Sequence, residues 1–437
     1  MNVQMKPAQS VASPLEERFG KLFDPSDSTI SPKVFSDPEL YRLEGERVFG
    51  RSWLYVGHEA DIAQPDSFVT SFMGEEGVIV TRARGQVRVF INSCRHRGMR
   101  LCRLDHGVAR TFQCPYHGWT FSNAGKLVGI PEFETGYHGD LDGEKWGLIE
   151  VPRVETFRGL IFACYDKDAV SLSDYLGDAK WYLDLFLNRT AAGMKPLPGV
   201  AKTKWDGNWK FGAEQLGGDN SHAIWAHNFL VKLGLVKEFG GIDAWTRDFQ
   251  VKCENGHGFI LLNEDPAHLP PLLAAFRADI MKQATARDDA DRLDPMQLSL
   301  MDTVHVGTIF PNFSFIEFMG SLFIRVWHPR GVHKTEMWTW MMTETDAPPE
   351  ITAIQRDLST RNFGPAGMVE SDDNEMWVGC SETSTGFLRK QVPLNYAMSH
   401  GHARRPDDGR PGLIHRTPTE IAAFGFHEQW NALMARE

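Results

Sequence analysis

The chain has 437 residues, of which 42% are hydrophobic and 24% are charged, and it contains no low-complexity tract. This composition is typical of a globular protein and excludes a disordered or fibrous one. The formal net charge of −11 disfavours nucleic acid as a partner, because a phosphate backbone repels an acidic surface.

The sequence predicts a cytoplasmic protein. The first twenty residues, MNVQMKPAQSVASPLEERFG, lack the apolar core of a signal peptide. The chain has no run of 18 apolar residues, so we expect no membrane span. Six cysteines among 437 residues are ordinary for a reducing compartment and do not suggest a disulfide framework.

The elements fall into three regions along the chain. Residues 1–49 are mostly polar, and one helix is predicted in PELYRLEGERVFGRSW, where Leu40, Leu43 and Val48 recur at helical spacing. Residues 50–166 follow as short β-rich runs separated by turn residues, and they predict an all-β domain.

Residues 167–437 mix two kinds of pattern. Helices are predicted in LSDYLGDAKWYLDLF and in PPLLAAFRADIMKQATARDDADRL. FIRVWHPRG and TEMWTWMMTET instead predict a β-hairpin that turns across Pro329–Lys334. Because helices and strands occur in separate blocks, we expect an α+β domain with an antiparallel sheet and not a parallel doubly wound sheet.

The stretch SCRHRGMRLCRLDHGVARTFQCPYHGW, residues 93–119, holds two mixed pairs of metal-ligating side chains. Cys94 and His96 form a C-x-H pair, and Cys114 and His117 form a C-x-x-H pair after seventeen intervening residues. Each pair offers one thiolate and one imidazole from a predicted turn. A Rieske [2Fe–2S] centre needs this division, since two thiolates hold one of its irons and two imidazoles the other.

Zinc is the main alternative to an iron–sulfur cluster, because two cysteines and two histidines also suit a tetrahedral zinc ion. Zinc fingers usually pair cysteine with cysteine and place the histidines on a helix, whereas glycine and proline here indicate turns. C-R-H-R-G and C-P-Y-H-G-W resemble the Rieske family. Cys102 lies outside the pattern and is expected to be a small buried residue, and His106 is expected at the surface.

A second informative stretch is NWKFGAEQLGGDNSHAIWAHNF, residues 208–229, which contains the pattern D-x-x-H-x-x-x-x-H. On one helix, Asp219 and His222 would share a face, but His227 would lie about 140° further round. The two imidazoles would then converge only at a widened turn or a helix end. A helix with two unrelated histidines is the alternative.

Two further facts favour a metal site there. Non-haem Fe(II) is commonly held by two histidines and one carboxylate, and VESDDNEMW supplies Asp372 or Asp373 about 150 residues downstream. A Rieske centre in the same chain also needs an acceptor for its electrons.

Together these residues resemble the large, catalytic alpha subunit of Rieske non-haem iron aromatic-ring-hydroxylating dioxygenases, among them the naphthalene-, biphenyl- and phenylpropionate-type enzymes. The resemblance runs from about residue 38 to the C-terminal region. It rests on both Rieske pairs, on the D-x-x-H-x-x-x-x-H stretch, and on GTIFPN, VWHPRG and FGPAGMVESDDNE. The fold that it implies is a β-sandwich Rieske domain plus a helix-grip catalytic domain with an antiparallel sheet.

The resemblance also implies roles for single residues. His222, His227 and Asp373 would ligate the mononuclear iron, with Asp372 as the alternative carboxylate. The family often has an aromatic residue just before the first of these histidines, and this chain has Ser221 there, a difference that concerns the pocket wall and not the ligands.

Family members form head-to-tail trimers, many of them with a small beta subunit, so we expect a homotrimer or an α3β3 assembly. In that arrangement Asp219 would bridge the two metal centres by accepting a hydrogen bond from His117 of the adjacent subunit.

The implied reaction is cis-dihydroxylation of a small aromatic substrate with dioxygen. Electrons would come from NAD(P)H through a ferredoxin or reductase and the Rieske cluster. The chain has no Rossmann fingerprint, so the reductase is expected to be a separate protein. A monooxygenase that hydroxylates or demethylates its substrate is the alternative enzyme, and a pure electron carrier is the alternative outside catalysis.

The motif match also predicts the substrate pocket, which suits a neutral aromatic ring if most of its lining is apolar. The residues expected to line it are Gln215, Leu216, His305, Phe363 and Val369. For His305 a hydrogen-bonded core position is the alternative. Arg325 and Arg389 could instead receive a substrate carboxylate, although for Arg325 a structural role is expected more than substrate contact, because it lies in the RVWHPRG strand.

Overall fold

The structure is a computed structural model that describes residues 14–234, 248–263, 269–286 and 292–436. No helix among the described residues combines the length and the apolar character that crossing a membrane requires.

The N-terminal region packs against parts of the second half of the chain. Its elements are α1 (Pro14–Phe19), β1 (Phe23–Asp24), β2 (Thr29–Ile30), α2 (Lys33–Ser36) and α3 (Pro38–Glu44). Asp37 begins α3 by accepting the backbone N–H groups of the second and third helical residues, with proline at the first position. The predicted helix continues through Gly45–Phe49 as a wider turn and then ends.

The described residues of the β-rich region form ten short strands, one four-residue α-helix and two 3₁₀ turns, Glu59–Ile62 and Gly143–Trp146. The strands are β3 (Leu54–His58), β4 (Ser67–Met73), β5 (Glu76–Ala83), β6 (Gln86–Ile91), β7 (His106–Val108), β8 (Thr111–Gln113), β9 (Thr120–Ser122), β10 (Leu127–Gly129), β11 (Arg153–Phe157) and β12 (Leu160–Cys164), and the helix is α4 (Phe133–Gly136). They form three antiparallel sheets in the orders β6–β5–β4–β7, β10–β9–β8 and β11–β12–β3.

The second half of the chain is built on one antiparallel sheet. Its strands are β13 (Met194–Pro196), β14 (Ala201–Trp205), β15 (Phe249–Lys252), β16 (Gly258–Asn263), β17 (Thr303–Ile309), β18 (Phe313–Phe318), β19 (Ser321–Pro329), β20 (Thr335–Glu344) and β22 (Leu413–Arg416). They are ordered β13–β20–β19–β18–β17–β16–β15–β22, and β14 also pairs with β20. The remaining strand, β21 (Leu394–Asn395), pairs with β2. The predicted α+β class, with an antiparallel catalytic sheet, is confirmed.

Helices cover both faces of this sheet. They are α5 (Leu172–Leu176), α6 (Ala179–Leu187), α7 (Trp209–Gly218), α8 (His222–Ala226), α9 (Asn228–Lys232), α10 (Pro271–Ala286), α11 (Pro295–Leu300), α12 (Pro349–Phe363), α13 (Met368–Thr383) and α14 (Ile421–Met434). Side chains of α7 pack with one set of alternate strand residues, and side chains of α6 pack with the other set. The core therefore has two layers, one on each face of the sheet.

The predicted elements of this half are mostly observed. β19 and β20 form the hairpin that turns after Pro329. The first predicted helix is divided into α5 and α6 by Gly177, whose φ of +47° lies in a region that favours glycine. The second is observed as α10 up to Ala286, and the next part of the predicted helix lies outside the described residues.

One buried carboxylate joins three distant parts of the chain. Glu44, at the end of α3, accepts hydrogen bonds from Lys210 Nζ at 2.5 Å, from Trp209 Nε1 at 2.9 Å and from Trp430 Nε1 at 2.8 Å. Glu44 and Lys210 form an ion pair, and the side chains of both residues are fully buried. This contact fixes the N-terminal segment and α14 against α7, which is the helix that leads into the second candidate metal site.

Candidate metal centres and substrate pocket

The two predicted cluster loops have the same backbone geometry. Gly98 N–H donates to the carbonyl of Cys94 at 2.9 Å, and Gly118 N–H donates to the carbonyl of Cys114 at 3.0 Å. Both glycines have a φ of +73°, a value that residues other than glycine rarely adopt. Each turn therefore presents its cysteine and the histidine that follows from a similar position.

The side chains of these loops fit a metal cluster. Both thiols are buried, and the rings of His96 and His117 lie 4.6 Å apart between centroids. His96 Nδ1 is buried and has no hydrogen-bond partner among the described residues, as a nitrogen reserved for a metal would be. Burial raises the pKa of the Cys94 thiol, so a thiolate there needs a cation beside it.

Cys102 and His106 take the positions expected of them. Cys102 is buried, and its Sγ lies 3.6 Å from the carbonyl of Leu104. His106 is exposed at the start of β7.

The second candidate site lies where α7 ends. Asp219 and His222 do not share one helix, because Asp219 has extended backbone angles, with φ −132° and ψ 98°, between α7 and α8. Its Oδ1 accepts the backbone N–H of His222 at 3.1 Å and so helps to begin α8. His227 lies in a break between α8 and α9, as convergence of the two imidazoles requires.

Helix α13 brings the third group to this site. Asp373 Oδ1 lies 3.4 Å from His222 Nε2 and 3.3 Å from His227 Nε2. The ligating atoms of the three residues all lie within 4.8 Å of one another. Asp372 lies instead on the far side of one ring, with Oδ2 3.4 Å from His227 Nδ1. This geometry favours Asp373 as the metal ligand and Asp372 as a residue that orients the imidazole.

The charges at this site suit a cation. Burial lowers the pKa of His222, but Asp219 and Asp373 together outweigh burial and raise the pKa to about 9. Burial raises the pKa of Asp219, and His222 more than offsets it, so that the pKa lies below its usual value. Two carboxylates thus stabilise positive charge here, and a metal ion would replace the proton on His222.

A largely apolar cavity opens onto this site and, with its mouth included, encloses about 650 Å³. The predicted residues Gln215, Leu216, Phe363 and Val369 line it. Several other residues also line the cavity and were not predicted from the sequence; they are Asn220, Ala223, Leu230, Ile260, Leu262, Val306, Ile316 and Phe318. The strand members of this group alternate along β16–β18, and that alternation was the available signal for them.

His305 is not among the residues that line the cavity, so its expected role in substrate contact is corrected. It pairs with Leu261 and Glu317 across the sheet, and these residues share the face opposite to Val306. Its Nδ1 lies 3.1 Å from the Glu317 carboxylate, and its Nε2 lies 3.1 Å from the carbonyl of Leu300. The alternative interpretation, a hydrogen-bonded core histidine, is the one that fits.

The two candidate arginines differ in position. Arg325 is part of the cavity wall, but its Nη2 donates to the buried Glu370 carboxylate at 2.7 Å, and its Nε donates to Thr339 Oγ1 at 3.1 Å. Burial raises the pKa of Glu370 to about 7 even with this arginine beside it. Arg389 lies in a short 3₁₀ turn outside the cavity lining and donates to the carbonyl of Val392.

Comparison with known proteins agrees with this geometry. The family described as "Rieske [2Fe-2S] domain" matches residues 52–156, and the one described as "Ring hydroxylating alpha subunit (catalytic domain)" matches residues 172–436. The chain is 37% identical over 441 residues to biphenyl 2,3-dioxygenase subunit alpha of Rhodococcus jostii, covering 99% of this chain and 95% of that protein. It is 38% identical over 419 residues to chlorobenzene dioxygenase subunit alpha of a Cupriavidus species, covering 94% and 92%.

A solved structure of naphthalene 1,2-dioxygenase with indole bound in the active site is also similar. Its TM-score is 0.88 at 30% sequence identity, and the match covers 95% of this chain and 94% of that one. The chain therefore belongs to the catalytic alpha subunits of the Rieske-type aromatic-ring-hydroxylating dioxygenases, oxidoreductases that carry a [2Fe–2S] cluster and a mononuclear iron and use dioxygen.

Proposed function

We propose that this subunit cis-dihydroxylates a neutral aromatic hydrocarbon, with Cys94, His96, Cys114 and His117 holding the cluster and His222, His227 and Asp373 holding the catalytic iron. The observation that carries the proposal is a largely apolar cavity that ends on the two imidazoles and the carboxylate. Such a cavity excludes water from the ring and exposes one edge of it to the iron site.

The residues around the cavity would position the substrate and the side chains that hold the iron. When bound, the two iron centres supply one-electron transfer and the reduction of dioxygen. Ile260, Val306 and Phe363 would hold a flat ring by contact with its apolar faces. The overall change adds one dioxygen, two electrons and two protons to the aromatic ring and forms a cis-diol. The electrons reach the subunit from NAD(P)H through a separate ferredoxin or reductase.

A neutral substrate suits this pocket better than a carboxylate does. The only arginine that lines the cavity among the described residues is Arg325, and its guanidinium already donates to the buried Glu370 side chain and to Thr339 Oγ1. The related proteins named above act, by name, on biphenyl, chlorobenzene and naphthalene, and these compounds are uncharged.

Mass spectrometry of turnover products tests this proposal. The purified protein, supplied with a generic ferredoxin, a reductase and NADH, is incubated under ¹⁸O₂ with benzene, biphenyl, naphthalene, benzoate and phenylpropionate. We expect products that gain two hydrogens and two ¹⁸O atoms from the neutral compounds. A gain of one ¹⁸O atom would indicate the monooxygenase alternative, and turnover of the carboxylates alone would contradict the neutral substrate class. Two irons per chain instead of three would indicate an electron carrier.

We further propose that Asp219 links the two metal centres in a head-to-tail trimer, with or without a small beta subunit. Its side chain is 37% exposed at the cavity. One carboxylate oxygen accepts the His222 backbone N–H, while the ring Nδ1 lies 2.8 Å from the main-chain carbonyl of Asp219. The other oxygen lies 3.7 Å from Nδ1, which is too far for a hydrogen bond. That oxygen can therefore accept a donor from outside, such as His117 of a neighbouring subunit.

Asp219→Asn separates electron transfer from metal binding. The substitution keeps the size of the side chain and removes its charge, so we expect both metal centres to remain occupied. A pre-reduced cluster should then fail to reoxidise at the native rate when substrate and oxygen are added, as followed by stopped-flow absorption with iron counted on the same sample. Native reoxidation at full iron content would rule out the bridge, and loss of the mononuclear iron would leave only an orienting role.

The trimer and the location are separate parts of the proposal. Sedimentation of the purified subunit, alone and with a co-expressed small subunit, tests the assembly. The absence of disulfides among the six cysteines suits a cytoplasmic location.

A further inference from the structure

Gln215 connects the substrate cavity to the proposed iron ligands. It lies in the last turn of α7, and its Nε2 is 2.9 Å from Asp373 Oδ1 and 3.3 Å from His222 Nε2. Asp373 Oδ1 and His222 Nε2 are themselves 3.4 Å apart, and both belong to the proposed iron ligands. The amide of Gln215 therefore lies within hydrogen-bond distance of two of the three groups that would hold the metal.

The other end of the same amide is held by a tryptophan. Trp377 Nε1 donates to Gln215 Oε1 at 2.7 Å. Trp377 lies on α13, four residues after Asp373, and so one turn further along the same helix. The chain of contacts thus runs from an indole on α13, through an amide on α7, and back to a carboxylate on α13.

The chemistry of the two ends determines which way the amide points. The oxygen and nitrogen of a glutamine amide have nearly the same shape, so their positions follow from their partners. An indole N–H can only donate, so the amide oxygen must face Trp377. An ionised carboxylate can only accept, so the NH₂ group must face Asp373. Both ends require the same orientation.

We propose that Trp377 is a positioning residue that keeps the NH₂ group of Gln215, and not its oxygen, directed at the iron site. This inference rests on the ligand set proposed above. An amide oxygen is a suitable ligand for a hard cation, whereas an amide N–H is not. The indole would thereby keep the protein ligands at three, leave positions open for dioxygen, and provide a donor that fixes Asp373.

Loss of the indole N–H would favour rotation of the Gln215 amide. Trp377 is 2% exposed, and the Gln215 residue is also buried, so an oxygen without a donor there is costly. A half-turn of the amide would direct that oxygen at the cation, which supplies the missing partner. The same turn would remove the N–H donor from Asp373.

The test compares Trp377→Phe with Trp327→Phe. Phenylalanine keeps an apolar ring in place of each indole. Trp327 packs against Trp377 at 5.1 Å between centroids, but it donates to Ser314 Oγ at 2.8 Å and not to Gln215. The control therefore disturbs the same cluster of rings without touching the amide. The intact Rieske absorption of each variant shows that the chain has folded.

The readouts are the electron paramagnetic resonance signal of the ferrous nitrosyl adduct and the retention of mononuclear iron against a chelator. Nitric oxide occupies an open position on the iron, so the shape of the signal reports the symmetry of the ligands. We expect Trp377→Phe to change that shape and to weaken iron retention by about 10- to 100-fold, as loss of an outer partner typically does. Trp327→Phe should leave both unchanged.

A double-mutant cycle decides whether the effect passes through the amide. In a Gln215→Leu background, Trp377→Phe should have no further effect on the signal, and an undiminished effect there would overturn the inference. An unchanged signal and unchanged retention in Trp377→Phe would also overturn it.

Gln215→Glu provides a second route if Trp377→Phe does not fold. It puts an oxygen in place of the NH₂ group, so we expect a lower yield of nitrosyl adduct, and an unchanged yield would overturn the inference. Absence of the nitrosyl signal from the unmodified protein would overturn the ligand set itself, which is a different result from an unaffected signal in the variants.

Discussion

The buried pair of Lys210 and Glu44 offers a test of how the fold supports the site. Lys210→Met removes the ammonium group and keeps a side chain of similar length. Glu44 would then retain two neutral indole donors, from Trp209 and Trp430, in a position without solvent exposure. Removal of one partner from such a pair usually costs about 3–5 kcal/mol, because a buried charge is left uncompensated.

The loss should appear as a lower midpoint of thermal unfolding. A difference of 1 kcal/mol shifts this midpoint by about 2 °C for a domain of this size. The expected loss of about 3–5 kcal/mol therefore corresponds to a fall of about 6–10 °C.

The assay is thermal unfolding at pH 7, followed by circular dichroism. Lys252→Met is the control, because Lys252 pairs with Glu428 on α14 at a partly exposed position, where a pair contributes about 1 kcal/mol or less. The double variant Lys210→Met with Glu44→Gln should regain part of the loss, since it removes the uncompensated charge. The recovery should be incomplete, because the two indoles donate to different oxygens of Glu44 and an amide offers an oxygen at only one of these positions. A deficit in Lys210→Met that is no larger than in the control, or that Glu44→Gln does not reduce, would contradict this expectation.

Three further predictions concern the metal centres. Cys94→Ser should abolish the visible Rieske absorption, because serine poorly replaces a thiolate ligand, whereas Cys102→Ser should keep it, and the reverse result would show that the wrong pair was assigned. Alanine at any of the three groups facing the catalytic iron should lower the iron content from three toward two per chain with the Rieske spectrum intact; these groups are His222, His227 and Asp373. If Asp373→Ala keeps its full iron content and Asp372→Ala loses iron, the roles of the two aspartates are exchanged. Iron uptake by metal-free protein should strengthen by up to about tenfold per pH unit toward pH 9, because a proton must leave His222 first, and titrations with no dependence between pH 6 and 8 would contradict this.

The sequence was sufficient to predict the candidate metal sites. The side chains that can ligate iron are few, and their spacing in the two cysteine–histidine pairs is local, so turn-forming glycines and ligand types predict the cluster loops without tertiary information. The break between His222 and His227 could be predicted for a similar reason, because a regular helix cannot bring two residues five apart to one face. The hairpin after Pro329 followed from its own pattern of strand and turn residues.

Which residues share a site depends on how the helices and strands pack, and local sequence does not reveal it. Asp372 and Asp373 are equivalent in sequence, and the rotation of α13 against α7 determines which of them faces both imidazoles. The register of β17 with β16 and β18 determines on which face of the sheet the His305 side chain lies, since a shift by one residue would move it to the other face. The contacts of Glu44 with Lys210 and of Trp377 with Gln215 join residues about 160 positions apart, and such contacts arise from packing of whole helices, which no local pattern encodes.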